Sequence, residues 1–210
     1  MANVDSPFGL KPVRHLLGLP VNMAVVPCYI ASTYATALFI GDPVIKVAGG
    51  SNTAFETAPG AGAFNIGTMP NIEKATAGDA NRISGVIVGF AADPANLDRN
   101  YNPASTERIA FVNMDPFTVY EIQADGAIPA ASIGLNAVLI YTHSGSTTTG
   151  LSGVELDTTS DVPAADASNQ LLILRAVNRD DNDTTLTHAK VEVLINQHTE
   201  NQGTVGTLGI

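Results

Sequence analysis

The segment Lys190-Val191-Glu192-Val193-Leu194-Ile195-Asn196 is the clearest indication of the fold class. Its apolar residues alternate with polar ones at a period of two, which is the spacing of side chains on the two faces of a β-strand. The pattern predicts a half-buried strand with Val191, Val193 and Ile195 on the buried face. A second segment, Gln170–Val177, is apolar over most of its length and predicts a strand covered on both faces.

Seven further segments are rich in apolar and β-branched residues and also predict strands. Turn residues separate them, as at Gly41-Asp42-Pro43, Asp115-Pro116 and Ala124-Asp125-Gly126. Short helices are predicted only at Ser32–Ala37 and Pro163–Ser168. The composition therefore predicts an all-β protein, a barrel or sandwich of short antiparallel strands. The seven segments are Val21–Ile30, Leu38–Val47, Arg82–Phe90, Arg108–Asn113, Thr118–Gln123, Ala137–Tyr141 and Gly153–Asp157.

Both ends of the chain and one internal stretch lack a strand pattern. The first twenty residues are rich in Pro and Gly and predict an extended N-terminal arm. Residues 49–68, rich in Gly, Ala and Thr, predict a long loop or hairpin tip. The predicted organisation is an arm at 1–20, a body at 21–198 and a tail at 199–210, with the body either one domain or two small β subdomains at 21–125 and 126–198.

Charge and composition indicate which partners to expect. The net charge is −10, from 10 basic and 20 acidic residues, whereas binding to a phosphate backbone requires a basic surface. Only 14% of the residues are charged, against about 25% in an average domain. Few charges then lose their water when such a surface associates with another protein. We therefore expect protein partners and no nucleic acid.

Neither a leader nor a membrane segment is evident from the pattern of apolar residues. Residues 1–6 lack the basic and apolar regions of a signal peptide. No apolar run approaches the roughly 20 residues that span a bilayer. We expect a chain that is made in a cytosol, has no membrane partner and stays there or joins an assembly.

The residue types that carry chemistry show no recognisable spacing. The four histidines lack the pairing of a zinc protease helix and predict surface or strand-end positions. The acidic run Asp180–Asp183 lacks the Gly and Glu of a calcium loop and predicts a solvated hairpin turn. Cys28, in an apolar run, predicts an inert core thiol. We therefore predict no catalytic, cofactor-binding or metal-binding residues. The histidines are His15, His143, His188 and His198.

An enzyme or ligand-binding module stays an alternative. It would require three histidines and the acidic run to converge in the folded chain, because a metal site needs at least three ligands. Those histidines are His143, His188 and His198.

Two ends of the sequence resemble a known class of proteins. The opening Asp5-Ser6-Pro7-Phe8-Gly9-Leu10-Lys11-Pro12-Val13-Arg14 is similar to the N-terminus of small virion proteins of tailed bacteriophages. The closing block from Gly153 to His198, with Arg179-Asp180-Asp181-Asn182, is similar as well. The strand entry Gly41-Asp42-Pro43-Val44 resembles those of phage capsid decoration, or cement, proteins.

The resemblance implies a structural function without catalysis or a cofactor. Such proteins coat the outer surface of the virion head, often as homotrimers, and hold capsomers of the major capsid protein together. Assembly would take place in the host cytoplasm. Another phage component, such as a tail tube, head–tail connector or fibre-base protein, stays an alternative.

The arm is the part of the chain that we expect to contact the partner, and we expect it to matter more for attachment than for folding. An extended arm can add a strand to the sheet edge of a neighbour. The candidate contact residues are Pro7, Phe8, Leu10, Pro12 and Arg14.

Overall fold

The computed structural model describes residues 3–21, 25–51, 55–56, 63–93 and 95–200. In that part of the chain nearly all regular structure is β, as predicted, and residues Ala130–Ser132 form a 3₁₀ turn. The strands are β1 Lys11–His15, β2 Val25–Ile30, β3 Pro43–Gly50, β4 Phe55–Glu56, β5 Ala63–Phe64, β6 Pro70–Lys74, β7 Gly85–Phe90, β8 Arg108–Asn113, β9 Thr118–Gln123, β10 Asn136–Ala137, β11 Leu139–Ile140, β12 Glu155–Leu156, β13 Leu171–Ala176 and β14 Lys190–Ile195.

Five strands close into a barrel in the order β2-β6-β3-β7-β8. The pairs are antiparallel except β2 with β6, which run parallel where Tyr29 lies opposite Asn71. Closure leaves the barrel without a free strand edge, so its backbone groups pair internally. Its apolar interior includes Cys28, Ile30, Leu38, Val44, Ile72, Ile87, Ala110 and Val112.

The second main sheet is antiparallel and has the order β1-β9-β14-β13-β10. The face predicted for β14 is confirmed, because Val191 and Val193 have no exposed surface and Ile195 has 2%. Strand β13 differs from its prediction. Leu172 and Leu174 are half-buried, whereas Leu171 and Ile173 on the opposite face have no exposed surface.

The barrel and the second sheet share their largest apolar cluster. Buried residues of β9, β13 and β14 pack there with Ile83 and Val86 from the barrel side and with Leu10 from the arm. The chain changes sheets between Asn113 and Thr118, ahead of residue 125. The two halves therefore fold against one another, and a buried apolar cluster of this kind is worth about 25 cal/mol per Å² removed from water.

Both predicted short helices are wrong. Residues 32–37 form turns, and residues 163–168 form bends and a single bridge in which the Ala164 N–H donates to the Asn136 carbonyl over 2.9 Å. Segments of six residues are too short to hold a helix against such tertiary pairing.

Some strands begin or end at residues other than those predicted, because long-range pairing outweighs the local sequence pattern. Leu38 and Ile40 form only isolated bridges, and β3 begins after the turn at Gly41-Asp42. Residues 137–141 divide between β10 and β11, which belong to different sheets. Strand β6 was not predicted. Ile72 is its only fully buried side chain, so its sequence shows no alternation of apolar and polar residues.

The internal stretch 49–68 is a hairpin, as predicted. Strands β4 and β5 pair antiparallel, with Phe55 opposite Phe64. Residues 52–54 and 57–62 of this stretch, and 201–210 of the predicted tail, lie outside the described residues.

Candidate functional site

The predicted N-terminal arm lies across the body along its described length. The Asn3 side-chain amide donates to the carbonyls of Asp183 and Thr187 over 2.8 Å each. The Ser6 N–H donates to the Gln123 side chain over 3.2 Å, and β1 pairs with β9. The arm thus adds a strand to the sheet of its own chain.

At Gly9 the arm passes close to Gly41, in the turn just before β3. There the Leu10 N–H donates to the Gly41 carbonyl over 2.9 Å. Gly9 has φ +74°, and a Cβ on it would lie 2.6 Å from that same carbonyl oxygen. Only glycine fits both the conformation and the space. The close crossing allows Leu10 to enter the shared core.

The five predicted contact residues differ in how far the structure buries them. Leu10 has no exposed surface, which removes it from the candidate contact surface. The Arg14 Nε lies 2.9 Å from Glu192 Oε2, so its charge is partnered within the chain. Pro7, Phe8 and Pro12 are half-buried and retain surface for a partner.

A cleft of about 570 Å³ lies between the arm and the body. Its apolar lining includes Phe8, Pro12, Ile40, Ile87 and Leu151. Apolar clefts of this size accept side chains or small ligands. Charged residues also line it, namely Lys11, Glu121, Arg179 and Lys190, and Arg179 Nη2 lies 2.8 Å from Glu121 Oε1.

Large apolar side chains are exposed where β1 and β8 end and β2 and β9 begin. The Leu16 N–H donates to the Phe117 carbonyl over 2.9 Å, which joins the turn after β1 to the start of β9. Val25 lies opposite Asn113 at the same end. The exposed side chains, which we call the apolar end, are Leu16, Leu17, Leu19, Val25, Phe111 and Phe117.

Exposed apolar patches of this kind mark association sites in soluble proteins. The prediction placed contacts in the first part of the arm and missed its last part. A signal was available in Leu16-Leu17-Gly18-Leu19, whose leucines follow the strand and have no alternation.

Two of the four histidines are buried. His15 Nε2 lies 2.9 Å from Asp115 Oδ2, and His198 accepts the Glu200 N–H at its Nδ1 over 3.0 Å. Both positions are at strand ends, as predicted, but within the fold rather than on the surface. His198 does not join His143 and His188, so the convergence required for the enzyme alternative is not found.

The free energy of unfolding should fall between pH 6.5 and pH 4 because of His198. Burial lowers the pKa of this imidazole from 6.5 to about 4. The unfolded chain takes up the proton below pH 6.5 while the folded chain does not, so acid favours unfolding. The loss is on the order of 3 kcal/mol. Denaturant titrations at pH 7 and pH 4.5 measure it. In His198→Gln this loss of stability in acid should be absent. If the free energy of unfolding fell equally with pH in both proteins, His198 would not be its cause.

Cys28 and the acidic run match their predictions. Burial raises the pKa of the Cys28 thiol to about 12, so little reactive thiolate forms near neutral pH. Asp180–Asp183 lie in the connection between β13 and β14, where the Asp183 carboxylate accepts the Thr185 N–H over 3.0 Å. This local bond is typical of an Asx turn.

One convergence of titratable side chains was not predicted. Asp5, His143 and Glu155 each place a ligand atom within 4.8 Å of the others. These residues come from the arm, the segment after β11 and β12. No spacing in the sequence signals the group, because its members are far apart along the chain.

This chain finds no match among protein-family models, curated proteins or solved structures. Within the residues that the structure describes, no helix combines the length and apolar character that a bilayer crossing requires.

Proposed function

We propose that this chain is a structural assembly protein whose function is to bind other protein surfaces rather than to catalyse a reaction. The apolar end is the observation that carries the proposal. Leu17 exposes 69% of its surface and Phe117 exposes 45%. Full burial of one such side chain contributes about 1.5–3 kcal/mol. A chain with 14% charged residues adds little desolvation cost around this patch.

Within that class, we propose a cement protein on the outer surface of a tailed-phage head. The resemblance of Asp5–Arg14 and of the closing block supports this choice. The partner is the major capsid protein, and the favoured oligomer is a homotrimer. Modest affinity at each contact suffices, since a multivalent lattice multiplies it.

The half-buried part of the arm provides a second contact region beside the apolar end. Phe8 and Pro12 border the cleft, which accepts an apolar side chain of a partner. The edge of β1 is less suited to strand addition. Pro12 has no N–H, and the register shift between Pro12 and Arg14 twists the edge.

Mass spectrometry and imaging of purified particles test the proposal. We expect a high copy number and density on the outside of the head. A few copies per virion, or a location only in the tail, would contradict the cement assignment. Rings or tubes formed by the purified chain would favour a tail tube or connector instead.

Substitutions in the apolar end should weaken attachment without weakening the fold. We expect Leu17→Ala with Leu19→Ala to reduce affinity for expanded heads by about tenfold or more, because two exposed leucines lose buried area. Co-sedimentation with heads measures it, and the melting temperature should change little.

Leu97→Ala is the matched control for that experiment. Leu97 is also highly exposed but lies in the connection between β7 and β8, at the other end of the barrel. Equal binding by the double variant and the unmodified chain would remove the apolar end as the contact surface.

A further inference from the structure

Asp5, His143 and Glu155 each place one possible metal-ligand atom within 4.8 Å of the other two. His143 Nε2 lies 3.7 Å from Asp5 Oδ2 and 3.5 Å from Glu155 Oε2. These distances exceed those of good hydrogen bonds. Two ligands bound at 2.0–2.2 Å to a tetrahedral ion are about 3.3–3.6 Å apart. The separations therefore fit a shared metal ion better than direct ion pairs.

The charge of this group also requires a partner. Glu155 has a side chain that is 1% exposed, and among the described residues no Lys or Arg pairs with it or with Asp5. Buried carboxylates in proteins are normally paired or bound to a metal. A divalent cation would compensate both carboxylates at once.

His188 lies beside the group without belonging to it. Among the described residues its Nδ1 has no hydrogen-bond partner, and it lies 3.6 Å from Asp5 Oδ1, the oxygen that accepts from Gln123. The atoms that lie within 4.8 Å of one another come from Asp5, His143 and Glu155.

A layer of uncharged side chains holds the carboxylates in place. The buried Gln123 amide donates from Nε2 to Asp5 Oδ1 over 3.1 Å and to Glu155 Oε1 over 3.0 Å. The Thr142 hydroxyl donates to Glu155 Oε2. Such supporting hydrogen bonds orient first-shell ligands in metal sites. The atoms nearest one another are Asp5 Oδ2, Glu155 Oε2 and His143 Nε2.

We propose that Asp5, His143 and Glu155 bind one divalent transition-metal ion, with Zn²⁺ as the best fit. An imidazole beside two carboxylates favours zinc over Ca²⁺ or Mg²⁺, which prefer oxygen ligands alone. Asp5 and His143 each expose 42% of their side chains, which provides a path for the ion. The bound ion joins the arm to β12 and to the segment after β11.

Titration of the untagged, metal-stripped full chain with ZnCl₂ tests the site, by calorimetry and by elemental analysis after dialysis. We expect one Zn²⁺ per chain. At a free concentration one hundred times Kd, the melting temperature should rise by about 5–10 °C, because the ion binds the folded chain selectively. Substoichiometric zinc with no thermal shift would overturn the proposal.

Variants locate the ion. His143→Ala and Asp5→Asn should each weaken zinc binding at least tenfold, and both sites are exposed enough for the chain to fold. Asp98→Asn, an exposed acidic position outside the group, is the control and should bind as the unmodified chain does. Unchanged affinity in the first two variants would place the zinc elsewhere and refute the site. Head attachment is a separate assay, so either proposal can fail alone.

Discussion

Leu10→Ala should lower the free energy of unfolding by about 2–5 kcal/mol. Leu10 is in the arm but has no exposed surface, and it packs in the core shared by the barrel and the second sheet. Truncation would leave a cavity, because the surrounding strands are held by backbone pairing and can close it only in part. Urea titration followed by circular dichroism measures the change.

Leu17→Ala is the matched control, seven residues further along the same arm. Leu17 is largely exposed, so its loss should change stability by no more than about 0.5 kcal/mol. A similar small effect at both positions would mean that the arm detaches from the body in solution. The burial of Leu10 leads us to expect that the arm contributes to folding as well.

Asp42→Ala should cost about 3–5 kcal/mol. The Asp42 carboxylate is fully buried and accepts the Phe39 N–H over 2.8 Å and the Ser152 hydroxyl over 2.6 Å. Lys74 Nζ lies 2.9 Å from it, in a side chain that is 17% exposed. Removing the carboxylate leaves that ammonium without its partner and two donors unsatisfied.

A double variant distinguishes this mechanism from general damage to the fold. Lys74→Met in the Asp42→Ala background removes the stranded charge, so it should recover part of the lost stability. Asp98→Ala, at an exposed position, should have little effect on unfolding. A loss below about 1 kcal/mol in Asp42→Ala would show that solvent satisfies these groups.

Local patterns predicted the strands whose side chains alternate or whose apolar run is bounded by turns. Arg108–Asn113 and Thr118–Gln123 have the predicted bounds, and the β14 face is correct. In these segments the spacing of apolar residues and the period of the strand agree. Where they disagreed, as at 137–141, long-range pairing divided one predicted strand between two sheets.

The candidate sites show a stronger dependence on tertiary structure. The apolar end assembles from the ends of four strands, and only its leucines after β1 carry a local signal. The convergence of Asp5, His143 and Glu155 carries no local signal in the sequence. Ligands brought together by pairing between distant strands leave no characteristic spacing, unlike those on one helix turn or one loop.

The sequence by itself determined that this protein is an acidic all-β chain with few charges, a buried thiol at Cys28 and a solvated turn at Asp180–Asp183. Strand period and turn chemistry are local properties, so short segments of sequence are enough to recognise them. Only the tertiary structure decided that Leu10 belongs to the core and that the arm completes its own sheet. The physical reason is that burial depends on what the rest of the chain places over a residue, which no local pattern contains.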